Sequence, residues 1–508
     1  MSSVSFSQLP ANWKLPLVSI EVDPSKAGTI TLIEPALLVG QKLSSGVATP
    51  DVAIPVASQA QAALFFGQGS MLERMVAIFL KNTPAVVLWC LPQSEPGSGV
   101  AAHGAVKYGG PATGSGTLPV YIAGRMASVA VTVGMTAAQI ATAVAAAISA
   151  DPYMVVTAAV NGSDATQVDI TCKWKGATGN DIRISHAIGG ALAGEAIPAG
   201  VTVTVTAMAS GSGAPDQTNS IAAVGDDTYD YCGVPYTDTT SLGAWETEYG
   251  FSQGGRWGFL RESYGTIYSA ARGTYANLIT LGQAGNSPVS SILGIEAGVE
   301  SPVWEVCAAY TAQAALAFLN DPARPLQTLP LLGIIAAARG SRFSKTERNA
   351  LVGYGIAVQD VDGSGQMKIS LEAMRYQKND YGQGDTAYDV ATTLATLAYI
   401  LRYLRQRITS KYPRHKLAND GIRIGPGQAI VTPKTIKAEL VAGYAQLEYL
   451  GIAENANAFK DALVVERDTT NANRVNILYP PDLVNQMRVF AVLAQFRLNY
   501  ADQPGAIA

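Results

Sequence analysis

The chain has 508 residues, 48% hydrophobic and 15% charged, which is ample apolar material for large cores spread over several domains. Its 35 Lys and Arg stand against 39 Asp and Glu, a net charge of −4 that excludes the basic excess of a broad nucleic-acid-binding surface. Cys90, Cys172, Cys232 and Cys307 form no CxxC pair and read as reduced, buried thiols rather than a disulfide framework.

The opening MSSVSFSQLPANW lacks the charged-then-apolar layout of a signal peptide, so the chain reads as cytoplasmic where it is made. Residues 1–28 read as an extended arm. Within it LVSIEV (17–22) carries Leu17, Val18, Ile20 and Val22 between Pro16 and Pro24, the pattern of a short strand. That strand has no sequence neighbour to pair with, so it must add to a sheet elsewhere in its own chain or in another.

Residues 29–110 read as the first part of an α/β core, with a strand over 30–39 and a helix over 70–82. A further strand over 85–90 (AVVLWC) is apolar on both faces, as in a parallel sheet. The run from 92 to 115, PQSEPGSGVAAHGAVKYGGPATGS, reads as a Pro/Gly/Ser linker. Residues 111–210 read as an inserted β-rich domain. Strands over 117–122 and 128–133 meet at Ala123-Gly124-Arg125, Thr136 caps a helix to residue 150, and strands follow over 155–160, 167–172 and 201–208. The core then resumes over 211–372, with a strand over 229–234, a helix from 241 to about 253 and a strand over 291–295.

The stretch from 302 to 335 is the centre of the pattern. Its helix, 303–319, is apolar on nearly every side and must sit inside something. Glu305 and Asn320-Asp321-Pro322 keep its apolar run short of the ~20 residues that span a membrane, so it reads as a core helix. Beyond it, Ser344 and Glu347 match a capping box, and Asp362-Gly363-Ser364-Gly365 joins a hairpin over 355–361 and 367–371.

Residues 373–486 read as a C-terminal domain with helices over 389–410 and 434–449, a strand over 475–479 and a break at Pro480-Pro481. The last piece, 487–508, reads as an arm whose strand over 487–498 is marked by Val489, Phe490, Val492, Leu493, Phe496 and Leu498. The fold class expected is α/β (α+β): a discontinuous mixed-sheet core with a β-rich inserted domain and extended N- and C-terminal arms.

No constellation carries chemistry. His103, His186 and His415 are scattered, no GxSxG surrounds a serine, and no GxxxxGK[ST] occurs. Asp360 to Gly365 opens like a calcium loop, but the twelfth position is Leu371 where a bidentate Glu is needed, so a hairpin is the better reading. Catalytic, cofactor and metal sites are therefore expected to be none. The basic run Arg402, Arg405, Arg407, Lys411, Arg414 and Lys416 reads first as a solvated helix end, then as a docking surface for an acidic partner, and least as a nucleic-acid contact, because the rest of the chain is acidic.

Five long runs carry a resemblance: DPARPLQTLPLLGI (321–334), RFSKTERNALVGYGI (342–356), KYPRHKLANDG (411–421), VTPKTIKAELVAGYAQLEYLGIAEN (431–455) and NRVNILYPPDLVNQMRVFAVLAQFRL (473–498). They resemble the tail sheath proteins of contractile-tailed phages, specifically the Mu-like group. The resemblance implies a virion subunit, assembled in the host cytoplasm, that polymerises with itself as hexameric rings stacked helically around the inner tail tube. Contraction on a baseplate signal would drive the tube through the host envelope and eject the genome. Its partners would be further copies of itself, the inner tail tube protein, and baseplate and tail terminator proteins, with no nucleic acid and no membrane insertion. Terminal arms would lend strands to neighbouring sheets through main-chain hydrogen bonds, which gives the strands at 17–22 and 487–498 a purpose. Gly28, Pro480 and Pro481 would delimit the hinges, and the inserted domain would face outward. Arg402, Arg405, Lys411, Arg414 and Lys416 become candidates for contact with an acidic tube. The family's core is sometimes called subtilisin-like, so a hydrolase is the alternative, although the Asp, His and Ser motifs of a working subtilisin are absent.

Overall fold

A computed structural model describes residues 34–423, 425–496 and 498. The predicted arm strand with Leu17, Val18, Ile20 and Val22 lies outside the described residues. The centre of the molecule is the Val303–Asn320 helix, in which every residue from Trp304 to Ala315, and Phe318, is buried. Its alanines leave room for close neighbours. The Met71–Asn82 helix packs along one side and the Thr266–Gly273 strand along another. Burial of Glu305 is compensated by the Arg74 guanidinium, whose Nε donates to Glu305 Oε1 at 2.7 Å.

Beneath this helix lies a nine-stranded sheet. Its order is Pro330–Ile335, Gln366–Leu371, Ala357–Val361, Ser290–Glu296, Thr266–Gly273, Tyr231–Gly233, Ala36–Gln41, Leu88–Gln93, Ile54–Pro55. The six strands from Ala357–Val361 to Leu88–Gln93 run parallel, and antiparallel strands close both edges. Ala36–Gln41 and Ser290–Glu296 are buried at every position, which is why neither shows polar alternation.

The inserted region contains a four-stranded antiparallel sheet, ordered Thr202–Ala209, Ala101–Gly109, Gln167–Lys175, Val156–Val160, and a three-stranded one, Arg125–Val131, Gly116–Ile122, Ile184–His186. Thr136 and Gln139 form a capping box at the head of the Ala137–Ala150 helix. The Ala123-Gly124 turn has φ of 50° and 74°, left-handed backbone that a two-residue hairpin loop demands. This region is welded to the core. The Trp174 and Trp304 rings meet edge-to-face at 5.5 Å. Asp181 accepts the Val303 N–H at 2.6 Å and pairs with Arg272, capping a central helix that has no side-chain cap of its own.

A second, smaller core lies in the C-terminal part. The Ala391–Lys411 and Pro433–Tyr449 helices enclose Ile400, Ile436, Leu440 and Leu447, and Tyr444 stacks on Phe459 at 3.7 Å. A hairpin of Val464–Arg467 with Val475–Leu478 completes it.

Three expectations need correction. Residues 101–109, read as part of a linker, form a strand with alternating burial: Ala102, Val106 and Tyr108 point inward, and small residues hid the period of two. The strand predicted over 85–90 begins at Leu88 and runs to Gln93. Among the described residues, the strand predicted over 487–498 makes no ladder, and residues 487–496 have no strand assignment.

Candidate inter-subunit surface

The chain leaves its last core through a series of fixed points. Ile452 O accepts the Val484 N–H at 3.3 Å, Asp482 N–H donates to the Tyr444 hydroxyl at 2.9 Å, and Glu454 N–H donates to Asp482 O at 2.9 Å. Pro480-Pro481 is therefore no hinge, because the chain stays bonded down after it. Gln327 Nε2 holds Met487 O at 3.2 Å. Last comes Arg488: its Nη1 donates to Glu372 Oε2 at 3.1 Å and its Nη2 to Oε1 at 2.5 Å. Glu372 is fully buried at the end of the Gln366–Leu371 strand and also accepts the Thr392 hydroxyl at 2.6 Å.

Beyond Arg488 the pattern reverses. Among the described residues no hydrogen bond reaches 489–496. Val489, Phe490, Val492, Leu493, Phe496 and Leu498 are all exposed, from 68% at Val492 to 95% at Leu498. Water meets a continuous apolar ribbon with an unpaired backbone, a surface that ordinary protomers keep covered.

The basic run splits into two sets. Arg402 is turned inward. Its Nη1 donates to Glu34 Oε1 at 3.1 Å, its Nη2 reaches Asp230 Oδ1 and, at 3.3 Å, Ser263 O, and the guanidinium lies 5.5 Å over the Tyr264 ring. The expectation that Arg402 faces a tube is thus corrected: two buried carboxylates draw it into the protein. Burial raises the Asp230 carboxyl well above its ordinary range against the attraction of Arg402, and Glu34 adds to the shift. Arg407 and Lys411 share Glu439, with Lys411 Nζ at 2.7 Å from Oε1. Arg405 is exposed beside Glu262 at 3.0 Å, and Arg414 and Lys416 are exposed in the segment after the helix, Lys416 bonded to Gln428 at 3.0 Å.

Sequence reasoning missed Glu34, Asp230 and Glu372, which lie 368, 172 and 116 positions from their arginines and have no local signal. The calcium-like loop is a turn. Asp362 accepts from Ser364 N–H at 2.9 Å and Gln366 N–H at 3.0 Å and pairs with Lys368 at 2.7 Å, which holds its carboxyl far below the usual carboxylate range. Among the described residues, no group of three or more His, Cys, Asp or Glu is placed to hold a metal ion, and no helix is long and apolar enough to cross a membrane.

Comparison with known proteins places the chain in a family. Residues 210–370 match the phage tail sheath protein central domain, and residues 383–497 match the phage tail sheath C-terminal domain. The Mu-like prophage FluMu tail sheath protein of Haemophilus influenzae is 39% identical over 500 residues, 98% of this chain and 100% of that one. The chain belongs to the phage tail sheath family. It is therefore a structural protein of a phage tail and not an enzyme, which sets the hydrolase alternative aside. Two solved sheath tail proteins are also similar. The one from Desulfitobacterium hafniense is 14% identical, with 93% of this chain and 97% of that one covered and a TM-score of 0.47. The one from Listeria innocua is 12% identical, with 89% and 92% covered and a TM-score of 0.46.

Proposed function

We propose that this sheath protein polymerises as hexameric rings stacked helically around an inner tail tube, and that its contraction drives the tube through a host envelope. Neighbouring subunits are linked by their arms. The observation that carries this is the ribbon beyond Arg488, apolar, exposed and without a ladder among the described residues. Adding it to the edge of a neighbour's sheet buries the side chains and satisfies the backbone in one step, and main-chain bonds let the linked subunits turn without parting. The arm of residues 1–28, with Leu17 to Val22, plays the same part at the other end.

Further copies, the tube protein, and baseplate and tail terminator proteins are its partners, and assembly takes place in the host cytoplasm before the particle is complete. The segments 29–100 and 211–372 act as one core, 111–210 together with the Ala101–Gly109 strand that pairs into its sheet as an outward domain, and 373–486 as the C-terminal domain. With Arg402 turned inward and Lys411 held by Glu439, Arg405, Arg414 and Lys416 are the charges that meet an acidic tube. Electron microscopy of purified protein tests the reading. Full-length chain should form tubes, and chain lacking 489–508 should remain as protomers; tubes from the shortened chain would refute the arm linkage.

A further inference from the structure

Glu34, the first described residue, and Arg488, at the root of the apolar ribbon, each take part in an arginine–carboxylate clasp, and both clasps bear on the Ala391–Lys411 helix. At the C-terminal root Arg488 grips Glu372, which is bonded to Thr392 in the first turn of Ala391–Lys411; Arg488 Nη2 also reaches the Thr392 hydroxyl at 3.3 Å. Toward the other end of that helix, Arg402 grips Glu34, two residues before the Ala36–Gln41 strand. The same root is held a second time by Asp230, which contacts Arg402 and whose N–H donates to Pro35 O at 3.0 Å. Ten residues separate Thr392 from Arg402, about 15 Å along a helix axis.

The helix between them is fixed to the core. Leu394, Thr396, Ala398 and Ile400 are buried, and the Thr396 hydroxyl donates to Pro322 O at 3.0 Å, just past the central helix. The clasps themselves are shielded. The Arg488 and Arg402 side chains are 18% and 15% exposed, against 0% for Glu372 and 6% for Asp230. Shielded pairs keep an attraction that salt and water would erase at the surface.

We infer that Arg402 and Arg488 are positioning residues that fasten the two arm roots to the Ala391–Lys411 helix, so that this helix sets the distance between the places where a subunit is held by its neighbours. The inference rests on the arm linkage proposed above. A pull on either arm then stops at its clasp and reaches the core through the helix, instead of peeling Glu34 and Pro35 from the first strand or residues 484–488 from the last core.

The test uses full-length protein with both arms intact. Glu372→Gln with Arg488→Met neutralises the C-terminal clasp without stranding a buried charge, and Arg402→Met with Glu34→Gln and Asp230→Asn does the same at the other root. Each charge-assisted hydrogen bond is worth ~10-fold in an equilibrium. The variants should therefore fold, but give ~10-fold fewer tubes, and those tubes should show a spread of axial repeats in electron micrographs where the unaltered protein shows one. Normal yield with the unaltered repeat would overturn the inference. Hydrogen exchange on the unaltered protein gives an answer even if a variant fails to fold. Amides of 36–41, Asp482 and Val484 should be protected in protomers as well as in tubes, and 489–496 in tubes only; root amides exchanging in protomers as fast as 489–496 would overturn it. Tubes from chain lacking 489–508 would remove the arm linkage itself. No tubes from that chain, with normal tubes from the clasp variants, would remove only the present inference.

Discussion

Arg488 donates to both carboxylate oxygens of Glu372, a residue 116 positions earlier that water does not reach. The pair marks the last fixed point before the chain enters its exposed ribbon. Removing one partner of a buried pair leaves the other charge without compensation. Arg488→Met should cost about 3–5 kcal/mol in urea unfolding, and Glu372→Gln added to it should recover part of that loss. A single substitution as harmless as the double would mean that Glu372 is solvated in the protomer.

A second buried carboxylate gives a pH dependence. Burial, reinforced by Glu34, pushes the Asp230 carboxyl from its ordinary 3.8 up to about 7 against the attraction of Arg402. Between those values the folded protein holds a proton that the unfolded chain releases. The stability contributed by this group is therefore complete below pH 3.8 and is lost as pH rises through about 7. The slope is on the order of 1 kcal/mol per pH unit. Thermal midpoints at pH 5 and pH 8 should differ more for the unaltered protein than for Asp230→Asn, which cannot ionise. Equal differences would place the proton elsewhere.

Two glycines in helices should respond oppositely to alanine. In the Thr239–Glu248 helix, a Cβ on Gly243 meets nothing within 4 Å, so Gly243→Ala should stabilise by about 0.5–1 kcal/mol through helix propensity. In the Tyr275–Gln283 helix, a Cβ on Gly282 falls 2.2 Å from Tyr354 O, a backbone atom with little freedom to move. Gly282→Ala should destabilise by about 1–3 kcal/mol despite the same gain in propensity. Chemical denaturation of the two variants checks the sign of each.

These contrasts show where sequence reading succeeds and where it stops. The Val303–Asn320 helix is legible because alanines on every side leave no polar face, and the Asp362 hairpin because its turn residues are local. Thr266–Gly273, TIYSAARG, escaped notice: a central parallel strand has no alternation, and its small residues look like loop. Ala101–Gly109 was hidden for a related reason, since Ala102 and Gly104 occupy inward positions usually taken by large apolar side chains. The basic run was visible as a run, but its division was not. Arg402 belongs to Glu34 and Asp230 only because the sheet brings the Ala36–Gln41 and Tyr231–Gly233 strands side by side. The apolar ribbon was legible residue by residue; the anchor that defines its root was not, because Glu372 and Arg488 meet only in the folded chain.

The most direct test of the account is electron microscopy of two purified proteins, the full chain and the chain ending at Arg488. The second keeps the clasp with Glu372 and should unfold at the same temperature as the first, but it lacks Val489 to Leu498. The account predicts regular tubes from the full chain and folded, unassembled protomers from the shortened one. Tubes of the same diameter and repeat from both would contradict it.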